Sequence, residues 1–155
     1  MIAFRRSAFL CGLTIALLGF SLRSFAADDS WVKAYNSGDL DTVVSLYDEH
    51  AVIYPPGAPP AHGGAAIRAF FIKDNAEFLR GGLIFSLGTK PDGGVAGNSG
   101  WSSGTYVVKD KSGRVVDTGW YFSVSRTVAG RWLYVRDAWN SDGPPTQTSQ
   151  APAKK

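Results

Sequence analysis

The first half of the chain carries apolar residues at helical spacing in three places. A short first helix is predicted between the helix-starting residues 28–30 and the Ser-Gly pair at 37–38, and a second is predicted behind the cap residue Asp39. A third is predicted over about residues 65–80, where two glycines end it. The apolar positions that define these helices are Trp31, Ala34, Tyr35, Leu40, Val43, Val44, Tyr47, Ile67, Phe70, Phe71 and Phe78. This spacing predicts helices that bury one side each.

The second half alternates polar and apolar residues with the period of β-strands. Strands are predicted over residues 83–89, 99–109, 115–126 and 131–140, with turns rich in Gly, Asp and Ser between them. A brief strand at 51–54 precedes them, and the proline-rich stretch 55–64 is predicted to stay outside the sheet as a loop. Helices followed by an antiparallel meander predict an α+β fold, with three N-terminal helices packed on the concave face of a curved sheet.

The last predicted strand places one acid among apolar residues. Strict alternation puts Leu133, Val135 and Trp139 on the same side as Asp137. A three-residue turn that ends at Gly130 would set Tyr121 opposite Asp137, and Gly119 would leave a gap beside them. Burying an unpaired carboxylate costs on the order of several kcal/mol. Asp137 is therefore expected to be hydrogen-bonded, to be protonated and neutral, or to take part in catalysis.

The other side of the last hairpin is apolar as well. It is predicted to carry Trp120, Phe122, Val124, Trp132 and Tyr134. Three helices cannot cover both faces of the sheet, so this outward side predicts a homodimer interface.

Residues 1–26 have the pattern of a signal peptide. Arg5 and Arg6 precede an apolar run at 8–22, and small residues allow a cut after Ala26. The run is shorter than the roughly 20 residues that span a bilayer. We therefore expect a periplasmic or secreted protein; the paired arginines leave twin-arginine export open, but the position of Phe9 favours the general secretory route. Its domain would cover residues 27–142, and the polar residues 143–155 would form a disordered tail.

Composition narrows the classes of partner and chemistry. The chain after the expected cut has 13 basic and 13 acidic residues, which argues against nucleic acids and membrane surfaces as partners. Cys11 is the one cysteine and lies in the signal peptide, so no disulfide is expected. His50 and His62 lack the spacing of metal ligands. No metal or other cofactor is expected.

Five short segments of the chain carry a resemblance to a known superfamily. They are N-S-G-D-L-D at 36–41, A-V at 51–52, G-A-A-I-R-A-F-F at 64–71, G-R-W at 130–132 and D-A-W-N at 137–140. In these segments the chain resembles the SnoaL-like, ketosteroid-isomerase-like superfamily, whose members are cones of the nuclear-transport-factor type. The resemblance implies a conical α+β domain with a cavity for a small molecule, often dimeric through its outer sheet face. Many members of this superfamily are domains of unknown function.

The residues that carry steroid isomerisation in that superfamily are missing here. Trp31 stands where the resemblance implies an oxyanion-hole tyrosine, and Tyr54-Pro55 stands where it implies the general-base aspartate. No acid lies at 120–122, where a second aspartate would be. The lone Asp137 resembles the single-acid arrangement of SnoaL-like polyketide cyclases instead.

Two functions follow from these residues. In the first, Asp137 is a general acid or base, and Tyr121, with Tyr54 or Tyr106 as a further donor, holds a developing enolate oxygen. The protein would then be a cofactor-free isomerase, dehydratase or cyclase acting on a small apolar carbonyl compound. In the second, Asp137 only locks the fold by accepting bonds from Tyr121 and an indole, and the protein is a non-catalytic ligand-binding or dimerisation module.

The residues predicted to line the ligand cavity are Trp31, Tyr35, Tyr54, His62, Phe71, Tyr106 and Trp139. A cavity that reaches Asp137 favours the enzyme, whereas an Asp137 sealed by side chains favours the module.

Overall fold

The computed structural model describes residues 21–143, with side chains described from Asp28 onward. Most of the predicted signal peptide and nearly all of the predicted tail lie outside the described residues. The elements in chain order are α1 Ser21–Ser37, α2 Leu40–Ser45, β1 Tyr47–Tyr54, β2 Ala61–His62, α3 Gly63–Arg80, β3 Ile84–Leu87, β4 Asp92–Ala96, β5 Ser99–Lys109, β6 Val115–Val128 and β7 Arg131–Trp139.

The helices form for the reasons their sequences suggest. Asp39 caps α2, because its Oδ1 accepts a hydrogen bond of 3.0 Å from the backbone N–H of Thr42. The buried positions of α3 are spaced three or four residues apart, and they are Ile67, Phe71, Asn75 and Phe78. No helix within residues 21–143 is long and apolar enough to cross a membrane.

Tyr47 corrects the predicted end of the second helix. The helix ends before Leu46, and Tyr47 instead begins β1, where it pairs with Tyr134 of β7. The Tyr47 side chain is buried in the core. Its apolar ring fits the helical spacing equally well, which is why the sequence pattern placed it in the helix.

The strands form one mixed sheet in the order β2-β1-β7-β6-β5-β3, and β4 also pairs with β5. The predicted α+β fold, with the helices towards the N-terminus of a curved and unclosed sheet, is confirmed. The predicted meander holds for β5, β6 and β7, whereas β1 and β7 run parallel. The end of the last strand therefore lies in the middle of the sheet.

Two short strands lie where loops were predicted. Ala61–His62 pairs with β1 directly after the prolines, since both of its residues can donate to a neighbouring strand. β4 includes Gly93 and Gly94, which the sequence pattern assigned to a turn. A Cβ at Gly94 would lie 2.8 Å from Nε1 of Trp101, so glycine here allows an indole to pack over the strand.

The hairpin between β6 and β7 corrects the predicted register. Its loop is Ala129-Gly130, and both residues have positive φ, 49° and 77°, as a two-residue type I′ turn requires. This turn, together with a bulge at Val135, shifts the register by two residues at Asp137, which faces Ser123, while Tyr121 faces Trp139. The three-residue turn predicted from the sequence was one residue too long.

A β-bulge at Val135 corrects the predicted faces of β7. Val124 pairs with Arg136 and Ser125 pairs with Tyr134, so Val135 is an extra residue in the ladder. The bulge resets the alternation, and Tyr134 therefore lies on the same side as Asp137 and is buried in the core. Trp132 shares the side of Tyr134 and does not belong to the outward face.

Two glycines of the sheet accommodate tyrosine rings. Gly119 pairs with Tyr106, and a Cβ at Gly119 would lie 2.6 Å from the Tyr106 ring and 2.1 Å from the Asn140 carbonyl oxygen. Gly104 pairs with Tyr121 in the same way, 3.0 Å from its ring. The gap predicted beside Gly119 is therefore filled by a side chain.

The outer face of the sheet exposes aromatic residues. Trp120 is 52% exposed, and Phe122 and Tyr54 are 41% and 42% exposed. The Trp101 and Phe122 rings stack with their centroids 6.1 Å apart. We call Tyr54, Trp101, Trp120 and Phe122 the outer aromatic patch.

Candidate functional site

A cavity of about 620 Å³ lies between α1, α3 and the inner face of the sheet. Its walls are mainly aromatic: Trp31 of α1 stacks on Tyr35 at 4.7 Å, and Phe71 of α3 stacks on Trp139 of β7 at 6.5 Å. The exposed residues Glu77 and Val116 line the same cavity, so it communicates with the protein surface.

The structure brings most of the predicted site residues together around this cavity. The ones that line it are Trp31, Tyr35, Phe71, Tyr106, Tyr121, Asp137 and Trp139. Tyr54 instead belongs to the outer aromatic patch, and His62 is exposed at the start of α3. Neither Tyr54 nor His62 lines the cavity, so a substrate bound there would not contact them.

Asp137 is held by a hydrogen-bonded chain that the sequence did not reveal. The Tyr47 hydroxyl donates to Asp137 Oδ2 at 2.7 Å, and Trp31 Nε1 donates to the Tyr47 oxygen at 3.1 Å. The bonds predicted from Tyr121 and directly from an indole are therefore replaced by one from Tyr47. Tyr47 lies 90 residues from Asp137 in the sequence, and no local pattern connects them.

The environment of Asp137 raises the pKa of its carboxyl group to about 6. The main cause is burial, which disfavours the ionised form, and the nearby Asp28 adds to it. The hydrogen bond from Tyr47 acts in the opposite direction but does not cancel the effect of burial. Asp137 is surrounded by the protein on most sides. Its side chain keeps some accessible surface, because it borders the cavity. A carboxyl group with this pKa can exchange protons near neutral pH.

Three further tyrosines in the cavity donate hydrogen bonds to aspartates. Tyr35 donates to Asp74 Oδ2 at 2.5 Å, Tyr134 donates to Asp28 Oδ1, and Tyr106 donates to Asp117 Oδ2 at 3.0 Å. Burial, followed by the neighbouring carboxylates, raises the pKa of Tyr35 and of Tyr134. Tyr35 and Tyr134 therefore remain protonated and donate to aspartates, whereas the Tyr106 hydroxyl also lies 2.6 Å from the carbonyl oxygen of Asn140.

Four acids that line the cavity were not predicted from the sequence, namely Asp28, Asp74, Glu77 and Asp117. Asp28 was interpreted only as a residue that starts a helix. Asp74 carried a usable signal, because it lies three residues after Phe71 and four before Phe78 on the buried side of α3. Asp117 has no comparable signal, since polar residues at the start of a strand are common.

Two polar atoms beside the cavity are buried without a hydrogen bond of good geometry in the described part of the chain. They are Oδ2 of Asp28 and the hydroxyl group of Tyr121. The hydroxyls of Ser102 and Tyr121 do lie near enough to Asp28 to favour its charged form, but burial outweighs them and raises its pKa. Tyr121 is thus a cavity tyrosine without a hydrogen bond of good geometry, and the acid beside its hydroxyl group is Asp28.

The charge of the cavity is one-sided. Five acids line it, namely Asp28, Asp74, Glu77, Asp117 and Asp137. The described residues that line it include no lysine, arginine or histidine. Tyrosine hydroxyls, rather than basic side chains, accompany these carboxylates.

The sequence pattern of the SnoaL-like domain matches residues 29–135. The chain belongs to the SnoaL-like domain family. This match begins one residue after Asp28 and ends two residues before Asp137, so both acids flank the matched segment. The chain matches no curated protein sequence.

Solved structures of other proteins have a similar fold. An NTF2-like protein with a cystatin-like fold from Novosphingobium aromaticivorans is 22% identical, with a TM-score of 0.73 over 83% of this chain and 86% of that one. A ketosteroid isomerase-like protein from Erwinia carotovora atroseptica is 17% identical, with a TM-score of 0.62 over 79% and 96%. A candidate dehydratase of the NTF2-like family from Streptomyces avermitilis is 18% identical, with a TM-score of 0.66 over 79% and 96%. At these identities the likeness concerns the fold.

The raised pKa of Asp137 predicts a specific dependence of stability on pH. Between the ordinary value of 3.8 and about 6, the unfolded chain loses this proton while the folded chain keeps it. Stability should therefore fall as pH rises through this window, by up to about 3 kcal/mol, and level off above it. Asp137→Asn should lack that decrease. Urea unfolding of both proteins from about pH 4 to pH 7 measures the difference.

The exposed Asp41 provides the control, because Asp41→Asn removes the same formal charge at the surface. It should keep the pH dependence of the wild type. Parallel stability curves for the wild type and Asp137→Asn would show that the folded protein does not raise the pKa of Asp137.

Proposed function

We propose that this protein is a cofactor-free general acid–base enzyme of the isomerase, dehydratase or cyclase type, acting on a small carbonyl compound. The observation that carries the proposal is that the cavity reaches Asp137, whose pKa of about 6 suits proton transfer near neutral pH. A purely structural aspartate would be expected to be sealed by side chains.

The proposed step is removal of a proton from the carbon next to the carbonyl group. The ionised Asp137 takes the proton, the C–H electron pair forms a C=C bond, and the carbonyl electrons move onto oxygen. Asp137 can return this proton to another carbon, which gives isomerisation, or donate it to a hydroxyl group on the neighbouring carbon, which leaves as water while the enolate electrons form the C=C bond and restore the carbonyl group. Both outcomes restore Asp137 to the ionised form without any redox partner.

Tyr121 is the proposed donor to the enolate oxygen. The hydroxyl protons of Tyr35, Tyr47 and Tyr134 are already donated to aspartates, and that of Tyr106 is shared between Asp117 and the Asn140 carbonyl. The Tyr121 hydroxyl makes no hydrogen bond of good geometry, although Asp28 lies beside it. Burial, followed by the nearby charges of Asp28 and Asp137, raises the pKa of Tyr121, so it stays protonated and able to donate.

The second candidate function is a non-catalytic ligand-binding module. The chain Trp31–Tyr47–Asp137 favours it, because these hydrogen bonds join α1, β1 and β7 and would stabilise the fold without any chemistry. The Streptomyces candidate dehydratase favours the enzyme, because it has a similar fold.

Proton exchange distinguishes the two functions without knowledge of the natural substrate. β-Tetralone, a ketone with two fused rings, has exchangeable protons next to its carbonyl and is small enough for the cavity. We expect the protein to accelerate their replacement by deuterium in D₂O, as followed by NMR. Asp137→Asn should lower this rate by about 10²-fold to 10⁴-fold, the range that general acid–base groups supply. The wild-type rate should increase with pH up to about 6, because the base must be ionised.

Asp74→Asn is the matched control, since Asp74 is another cavity aspartate bonded to a tyrosine. It should retain most of the exchange activity. Absence of protein-dependent exchange, or equal losses in the two variants, would leave the binding module as the function.

We also propose a homodimer formed through the outer aromatic patch. The patch crosses the sheet, because Tyr54, Ala138 and Phe122 are successive partners in the ladder. Trp120→Glu should therefore give a monomer in light scattering, since it would bury a charge at the interface. Ile72→Glu is the control, because Ile72 is 51% exposed on α3, away from the patch. A wild type that is monomeric at high concentration contradicts this proposal.

The proposed location is the periplasm or the exterior. The motivation is the signal-peptide pattern of residues 1–26, with a cut after Ala26. We expect N-terminal sequencing of the protein from a periplasmic extract to begin at Ala27. A sequence that starts at Met1 would contradict export by this signal.

A further inference from the structure

The two carboxylate oxygens of Asp137 have different surroundings. Oδ2 accepts the 2.7 Å hydrogen bond from the Tyr47 hydroxyl group. Oδ1 accepts no such bond from the described side chains, and it is not one of the buried atoms that lack a partner in that part of the chain. Because Asp137 lines the cavity, Oδ1 is the oxygen that a ligand in the cavity can reach.

Trp31 fixes the direction in which the Tyr47 hydroxyl group points. The indole Nε1–H can only donate, and it donates to the Tyr47 oxygen at 3.1 Å. The hydroxyl proton of Tyr47 is then directed to Asp137 Oδ2. The Tyr47 ring is 6% exposed, and the ring centroids of Phe71 and Tyr134 lie 5.9 Å and 5.3 Å from its own. Close packing of this kind leaves the ring no room to turn away.

The proton that Asp137 exchanges consequently has one favourable position. A proton on Oδ2 would meet the hydroxyl proton of Tyr47, whose oxygen already accepts from Trp31. Turning the hydroxyl proton elsewhere would leave a buried donor without an acceptor, which is costly. Burial, followed by the charge of Asp137, raises the pKa of Tyr47, so Tyr47 keeps its own proton. The proton of Asp137 therefore lies on Oδ1.

From this geometry we infer that Tyr47 is a positioning residue, which makes Oδ1 of Asp137 the oxygen that takes a proton from the substrate and returns it. For the reaction itself, this inference rests on the proposed function. Oδ1 takes the proton from carbon, the C–H electron pair forms the C=C bond, and the carbonyl electrons move onto oxygen. The same Oδ1 later returns the proton, while the Tyr47 hydroxyl group keeps its own throughout.

The hydrogen bond from Tyr47 also affects the pH at which Asp137 ionises. A donor stabilises the charged form of a carboxylate, so this bond opposes the increase in pKa that burial causes. The other titratable groups facing Asp137 are Asp28 of α1, whose charge raises the pKa of Asp137, and the hydroxyl groups of Tyr121 and Tyr134. Burial raises the pKa of both tyrosines, so they stay neutral. Tyr47 therefore helps to keep Asp137 ionisable near neutral pH.

Tyr47→Phe tests this role, because it keeps the ring and removes the hydroxyl group. The carboxyl carbon of Asp137 can be followed by NMR and identified by the loss of its signal in Asp137→Asn. We expect a pKa of about 6 for Asp137 in the wild type and a value at least about one unit higher in Tyr47→Phe. The β-tetralone exchange rate at about pH 5 should then fall by at least about 10-fold, since less of the base is ionised.

Tyr35→Phe is the matched control for the NMR titration. Tyr35 is another buried tyrosine that donates to an aspartate, but its partner is Asp74. Removing the Tyr35 hydroxyl group should leave the pKa of Asp137 unchanged. If Tyr47→Phe does not fold, Trp31→Phe is the second variant. It removes the donor that directs the Tyr47 hydroxyl group, so it should raise the pKa of Asp137 by a smaller amount.

The titration and the exchange rate separate this inference from the proposed function. An unchanged pKa of Asp137 in the folded variant overturns the inference, and the proposed function stands if the wild type still catalyses exchange. A raised pKa of Asp137 without any exchange by the wild type rejects catalysis and supports the assignment of Oδ2 to Tyr47. A raised pKa together with an exchange profile displaced to higher pH supports both. A loss of exchange that is equal at every pH indicates a structural role of Tyr47 and overturns the inference.

Discussion

The hydrogen bond between a tyrosine hydroxyl and an aspartate carboxylate is the interaction on which this structure depends. It occurs four times around the cavity, and each bond joins different elements: β1 to β7, α1 to β7, α1 to α3, and β5 to β6. A buried carboxylate is tolerable only when it is paired, and a phenol pairs it without introducing a positive charge. The cavity therefore keeps its acidic character while the same bonds hold its walls together.

Much of the fold could be predicted from the sequence because it depends on local signals. Helical spacing, the Asp39 cap and glycine-rich turns act over a few residues, and they located the three helices and most of the strands. The sequence could not show the bulge at Val135, since an extra residue leaves no mark on composition. It also could not separate a strand residue such as Tyr47 from the end of a helix, because a buried aromatic ring satisfies both patterns.

The site was only partly predictable for a related reason. Asp137 stood out because it interrupts an apolar strand, and the aromatic residues of α1 and α3 stood out by their spacing. Contacts between separate parts of the chain bring Tyr47 to Asp137 and hold the cavity acids Asp28 and Asp117 in place. Such contacts depend on register, and the predicted partner of Asp137 was two residues from the observed one, because the turn is one residue shorter and the strand contains a bulge. The sequence thus indicated an acid in an aromatic cavity but not its predominantly acidic electrostatics.

The bulge at Val135 absorbs one residue of the last strand without changing which side chains reach the cavity. Tyr134 and Asp137 are three positions apart with the extra residue between them, and at that spacing both face inward only because of the bulge. Without the extra residue they would be two positions apart, and regular alternation would again place both on the inner face. If the residue were kept but paired regularly, one of the two would turn to the outer face. Among relatives with this fold, a last strand that is one residue shorter and has no bulge would therefore present the same tyrosine and aspartate to the cavity.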